Sequence, residues 1–198
     1  MKNLSRKQKE KEELILKNAS ILFAEQGYFN TDILSIATKS NVGKGTIYNY
    51  FKNKEDIFLK VIQYQLNNSL DTILDKLKKI TNIKLYIESY IEEALDYYVN
   101  NTYSFDILFQ SNRTLFDKAM EIISETQSRY LSKFREQFSE DFEKISFIKN
   151  PEYVFLTVQA GIFAMVHEYR SGKNIKLSEI KTMLKSLYLN GLLSDIKN

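Results

Sequence analysis

A chain built mainly of β-strands must reverse direction every few residues, and the residues that permit tight reversals are scarce here: 6 Gly and 1 Pro in 198 positions. Lys, Glu, Leu, Ile and Asn are plentiful. That balance predicts an all-α protein. The length suits one compact globular unit or two small ones, with enough chain to bury a real core.

Apolar spacing places the helices. Ile15, Ala19, Leu22 and Phe23 predict a first helix over 11–26, stopped by Gly27. Thr31 is a candidate cap for a short helix carrying Ile33, Ile36 and Ala37, which ends near Ser40 and Asn41. Val42 to Lys44 then turn the chain into a second short helix, Gly45 to Phe51. Asn53, with Asp56 three positions on, caps a longer helix running to about Lys79. Further helices are expected over 83–100, 103–112, 115–140, 151–171 and 178–195, with Asn150 and Pro151 starting the fourth of these and Gly172 closing it.

The absence of Cys removes disulfides, thiolate nucleophiles and Cys-based zinc sites, and the single histidine, His167, removes any site that needs two imidazoles. No metal or cofactor is expected. The longest uncharged stretch, Tyr153 to His167, has 15 residues. It falls short of the roughly 20 apolar residues a bilayer requires and reads as buried helix. Met1 to Glu13 mixes Lys, Arg and Glu without an apolar core, unlike a secretory signal. A cytoplasmic protein without membrane association is the expectation.

Net charge is only +3, but residues 1–60 carry 11 Lys and Arg against 7 Asp and Glu, whereas the remainder carries 17 against 18. A basic end on a near-neutral body suits a polyanionic partner, and equally an ordinary solvated surface with a basic tail over Lys2 to Lys11. In the helix from Gly45 to Phe51, helical spacing sends Ile47 and Phe51 to one face and Gly45, Tyr48, Asn49 and Lys52 to the other. On such an outer face Gly45 leaves room for a partner's backbone. Asn49 has the donor and acceptor pair that matches adenine, Lys44 suits guanine or phosphate, and Thr46 a base edge or thymine methyl. Thr31 and its neighbours, at the start of the preceding helix, suit a phosphate. This is the pattern of a helix-turn-helix docked in a major groove, although helix, turn, helix also occurs in bundles that never meet DNA. Tyr50 fits interhelical packing as well as a DNA contact.

The order of residues is more specific than the geometry. Ala19, Leu22, Phe23, then Gly27-Tyr28-Phe29-Asn30-Thr31, Ile33, Ile36-Ala37, Val42, Gly45-Thr46-Ile47-Tyr48-Asn49-Tyr50-Phe51 and Lys54-Glu55 closely resemble the DNA-binding domain of the TetR/AcrR family of transcriptional regulators. The resemblance covers about a quarter of the chain. It implies that Tyr48 and Lys54 touch phosphates, and that Lys44, Gly45, Thr46 and Asn49 approach base edges of a palindromic double-stranded operator. It also implies a C-terminal helical domain for ligand sensing and dimerisation, hence residues 1–52 as the DNA-binding domain and 53–198 as the second. Gly43 departs from the pattern, which usually has a small hydroxyl residue capping the recognition helix.

For the second domain composition must serve. The 151–171 helix is apolar nearly all round, and Ala160, Gly161 and Ala164 would let another helix approach closely. With Leu184, Leu187 and Tyr188 of the last helix they form a candidate homodimer interface of four helices, unless the two helices only bury each other. Tyr90, Phe105, Phe109 and Phe116 belong to a run of aromatics that suggests a pocket for an apolar or amphipathic small-molecule effector. His167 reads either as a core histidine or as a ligand contact. The sequence shows no nucleophile and base in a known arrangement and no Gly-rich phosphate loop, so an enzyme is not expected. A helical enzyme and a protein-binding bundle are the alternatives.

Overall fold

The computed structural model describes residues 5–103, 106, 113–142 and 152–192. All elements among them are helical: α1 (Arg6–Asn30), α2 (Ile33–Lys39), α3 (Lys44–Tyr50), α4 (Lys54–Leu77), α5 (Ile83–Asn100), α6 (Arg113–Phe142), α7 (Glu152–Arg170) and α8 (Leu177–Lys185). A π-helical stretch, Ser186–Leu192, follows α8. The all-α expectation holds. The helix expected over 103–112 lies almost wholly outside the described residues, as do Asn150 and Pro151.

Several ends differ from expectation, each for a local reason. α1 starts at Arg6 because Ser5 and Gln8 form a capping box: the Ser5 amide donates to Gln8 Oε1 at 2.8 Å and the Gln8 amide to Ser5 Oγ at 3.4 Å. Residues 6–11 of the expected basic tail are therefore helical. Gly27, with φ 78° and ψ 166°, does break the helix, but residues 28–30 resume it. Thr31 does not cap α2. Its hydroxyl donates to the carbonyls of Gly27 at 2.9 Å and Leu22 at 3.2 Å, sealing the end of α1, while the carboxylate of Asp32 caps α2 by accepting from the Ser35 amide at 2.7 Å. That hydrogen bond to the Ser35 amide is the main reason the Asp32 carboxyl is held below its ordinary pKa.

Packing divides the chain into two compact units. One comprises the described residues up to Asn68 together with those from Thr102 to Thr126, and the other Ser69–Asn101 and Gln127 onward. The division falls inside α4 and α6 rather than at residue 52.

In the first unit, Ile15, Ala19 and Phe23 of α1, Ile36 of α2, Ile47 of α3 and Ile57, Phe58, Val61 and Ile62 of α4 are all fully buried in one core. Phe23 and Phe58 meet edge to face at 5.1 Å. Leu115 and Ala119 of α6 complete it. The reversal between α2 and α3 turns on Asn41, at φ 53°, with the Val42 amide donating to Ala37 O at 3.0 Å. Ser40, just before it, is 2% exposed, and its hydroxyl has no hydrogen-bond partner among the described residues.

In the second unit, α5 is the central helix, buried along Ile83, Ile87, Ile91 and Ala94. α7 buries Val154, Val158, Ile162 and Val166, one stripe at helical spacing. Lys185 of α8 pairs with Glu88 and Glu92 of α5, and Lys181 with Asp96. The π-helical stretch brings Tyr188 onto α7, where its hydroxyl donates to Thr157 O at 2.6 Å. Gly161 makes that contact possible: a Cβ there would lie 2.9 Å from Tyr188 Oη.

Two stability outcomes follow. Ser40→Ala removes a buried hydroxyl that satisfies nothing and is expected to raise stability by about 1 kcal/mol in denaturant melts. Gly161→Ala is expected to destabilise by about 1 kcal/mol, because overpacking outweighs the helix-propensity gain. In a Tyr188→Phe background the next neighbour of that Cβ is Leu184 at 3.4 Å. There the same change is expected to stabilise, a sign reversal that a double-mutant cycle measures directly.

Candidate nucleic-acid interface

α3 has seven residues, and helical spacing gives it two unlike faces. Ile47 and the C-cap Phe51 are 0% and 2% exposed, whereas Lys44, Gly45, Tyr48 and Asn49 are exposed and Thr46 is half-buried. A Cβ at Gly45 would meet nothing within 4 Å, so this glycine is a gap in the outer surface rather than an internal packing need. Tyr48 is half exposed, an aromatic ring standing out of the head. Gly43 is the N-cap and makes no side-chain cap, leaving its carbonyl to accept from Thr46 N at 2.8 Å. Tyr50 is partly buried against the core, the packing alternative of the two open to it.

Two lysines of α4 hold this arrangement. Lys60 Nζ donates to Tyr50 O at 3.2 Å, to Glu12 Oε1 at 3.3 Å, and lies 4.9 Å from the Phe51 ring centre. It thus anchors the carbonyl end of α3, where a cation is favoured, and ties it to α1. Lys60 was not among the expected site residues. Its partners are 10 and 48 positions away, which no local spacing shows. Lys54 Nζ donates to Tyr28 O at 2.9 Å and Phe29 O at 3.3 Å and sits 4.5 Å from the Tyr28 ring centre. The expected phosphate ligand is therefore also a structural anchor on the end of α1. Burial, with Glu55 second, pushes the Tyr28 hydroxyl pKa up. Thr31, 0% exposed, is withdrawn from the DNA-contacting set: its hydroxyl is spent inside the head.

The expected effector residues do not gather. Tyr90 is 1% exposed, lies 4.7 Å from Phe155 and accepts from Gln159 Nε2 at 3.1 Å, a packed core residue whose pKa burial raises well above its ordinary value. Phe105 and Phe109 lie outside the described residues. Phe116 belongs to the first unit and is 51% exposed. His167 is exposed on α7, so the core-histidine reading is set aside. Of the expected interface, Ala160, Ala164 and Leu187 are exposed, but Leu184 and Tyr188 are 2% and 5% exposed within the chain, and Gly161 faces Tyr188. The apolar outer faces are instead Tyr153, Ala160 and Ala164 on α7 and Met183 and Leu187 beyond it.

Comparison with known proteins agrees with the head's geometry. Residues 15–61 match the family described as bacterial regulatory proteins, tetR family. The uncharacterized HTH-type transcriptional regulator YuxN of Bacillus subtilis is 39% identical over 67 residues, 34% of this chain and 23% of that protein. The first curated relatives are thus matched over only a quarter to less than half of their own length. Solved structures share the fold along the chain. The regulator FadR from Bacillus subtilis, in complex with stearoyl-CoA, has a TM-score of 0.72 and 20% identity, covering 90% of this chain and 97% of its own. AibR, in complex with isovaleryl coenzyme A and operator DNA, has a TM-score of 0.68 and 16% identity over 89% and 97%. Residues 15–61 therefore match the tetR family of bacterial regulatory proteins in a head with the expected buried and exposed faces, and the chain as a whole shares its fold with FadR and AibR.

Proposed function

We propose that the protein is a ligand-responsive transcriptional regulator, a homodimer that binds a palindromic operator through α3 and is released by an apolar or amphipathic small molecule held in the second unit. The observation that carries the reading is the outer face of α3, with Lys44, Gly45, Tyr48 and Asn49 exposed around a gap that admits a base edge. Relatives of the same fold were solved with an acyl-CoA, one of them also with operator DNA, which supports pairing an effector with DNA release. Release makes it a repressor acting in the cytoplasm. Among the described residues no helix is long and apolar enough to cross a membrane. A hundredfold release requires the effector to favour the DNA-free state by roughly 2.7 kcal/mol.

Tyr48 is the phosphate contact and Asn49 the base reader in this proposal. Tyr48→Phe should weaken binding to related and unrelated duplexes alike by about 1 kcal/mol without changing the salt slope, because the hydroxyl is neutral. Asn49→Ala should instead relax preference at one base pair by about 1–3 kcal/mol. Fluorescence anisotropy on a randomised operator set distinguishes the two; equal effects from both changes would sink the docking pose.

The dimer is proposed on the exposed faces around Ala160, Ala164, Met183 and Leu187, which two-fold symmetry would bury against their own copies. Ala164→Arg places an unpaired charge there and should yield a monomer by sedimentation, with helicity intact and operator affinity lost. A monomeric variant that still binds the full operator tightly contradicts the proposal.

A further inference from the structure

α2 and α3 are both helices of seven residues, yet they are held differently. The start of α2 is closed by the Asp32 carboxylate, whereas the N-cap of α3, Gly43, has no side chain to offer. The side-chain hold on α3 is at its other end. Lys60, on the second turn of α4, reaches back to the carbonyl of Tyr50 and carries its charge where the dipoles of α3 end. Its ammonium lies over the Phe51 ring, and its second hydrogen bond runs to Glu12 of α1. Lys60 and Glu12 are both half-buried.

The carbonyl that Lys60 holds belongs to the residue after Asn49. Tyr48, Asn49 and Tyr50 share the last turn of α3, so a cation fixed to Tyr50 O fixes the turn from which the exposed Tyr48 and Asn49 project. The two kinds of DNA contact depend on this hold unequally. A side chain that pairs with a base edge must be kept to within about 0.5 Å. Attraction between cations and phosphates has no such requirement and survives a small tilt of the helix. Loosening the end of α3 therefore removes base reading before it removes DNA binding.

We infer that Lys60 is a positioning residue for sequence recognition. By joining Tyr50 O to Glu12 it sets the last turn of α3, and with it Asn49, toward the base edge without itself touching DNA. The inference rests on the reading of α3 as the DNA-contacting helix and adds to it the residue that aims that helix.

The test uses the full chain, a duplex that the wild type selects from a randomised pool, and a scrambled duplex of equal length and composition, with fluorescence anisotropy read across a range of salt. Lys60→Met keeps the length of the side chain and removes its charge and donors. It should weaken the selected duplex by about tenfold, as expected for losing one charge-assisted hydrogen bond, leave the scrambled duplex within about twofold and keep the wild-type salt slope. Lys60→Arg retains a donor for Tyr50 O and a charge for Glu12 and should restore selectivity. Asn49→Ala removes the group being aimed, so adding Lys60→Met to it should have little further effect. Glu12→Ala frees Lys60 from α1 without altering α3 or α4. It should give a smaller loss of the same selective kind, and it carries the test if Lys60→Met does not fold. Parallel losses on both duplexes, with a slope lower by about one unit, would make Lys60 a phosphate contact and overturn the inference. A lower melting temperature with both affinities unchanged, or additive effects of Lys60→Met and Asn49→Ala, would overturn it equally. A wild type that selects no duplex and shows no salt-dependent binding removes the regulator reading and the inference with it. Selective wild-type binding that neither Lys60→Met nor Glu12→Ala alters removes the inference alone.

Discussion

A helix of seven residues has no stability of its own in water, since nucleation costs more than two turns of hydrogen bonds return. α3 exists because the head makes it. Ile47 and Phe51 bury one face in the core shared with Ile36 and Phe58, and Lys60 holds the last carbonyl of the helix while gripping Glu12 of α1. Everything proposed about DNA depends on that anchorage. The residues left outside, Lys44, Gly45, Tyr48 and Asn49, are free to be polar, small or aromatic because none is needed to keep the helix in place. Gly43 shows the margin: the helix forms without a side-chain cap at its start.

The second unit solves a different problem, that of packing many tyrosines into a core. A buried phenol must satisfy its hydroxyl. Tyr98 donates to Ser69 Oγ, Tyr130 to Asp71, Tyr188 to Thr157 O, and Tyr90 accepts from Gln159, which itself accepts from Gln127 at 3.4 Å. Burial raises the Tyr98 hydroxyl to about 12, and burial together with Asp71 does the same for Tyr130, so these groups stay neutral across the physiological range. The abundance of tyrosine thus reflects a hydrogen-bonded core, and residues that read as pocket lining, Tyr90 above all, are structural.

What the sequence made legible was what local spacing encodes. The split of α3 into Ile47 and Phe51 against Gly45, Tyr48 and Asn49 follows from a 3.6-residue period, and the structure has that split. Helix caps were half legible: Asn53 caps α4 as expected, its side chain accepting from the Asp56 amide at 2.8 Å, but Thr31 and Asp32 are adjacent candidates that only the fold separates. Long-range partners were not legible. Nothing in the spacing of Lys54 says that its ammonium reaches back 26 positions to Tyr28, nor does the apolar pattern of α8 and the π-helical stretch after it say whether Leu184 and Tyr188 meet α7 of their own chain or a partner's. An amphipathic pattern fixes which face is buried and is silent about what buries it.

α4 is where the two halves of the proposal meet. It is one helix of 24 residues, and its apolar stripe supplies Ile57, Phe58, Val61 and Ile62 to the core of the head and Leu70, Ile73 and Leu77 to the core of the second unit. Its first residues carry the anchors Lys54 and Lys60, and its last turns, with Asp71, Leu74 and Asp75, line an open cleft opposite Tyr130, Phe134 and Gln137 of α6. A ligand at that wall alters DNA affinity only if it prefers one position of α4 over another, and the same preference must then weaken the ligand when DNA is bound. α6 likewise gives Leu115 and Ala119 to the head core. A site whose two walls are both continued into the head is better placed to bias DNA binding than a pocket enclosed within α5 and α7, whose described residues all belong to the second unit.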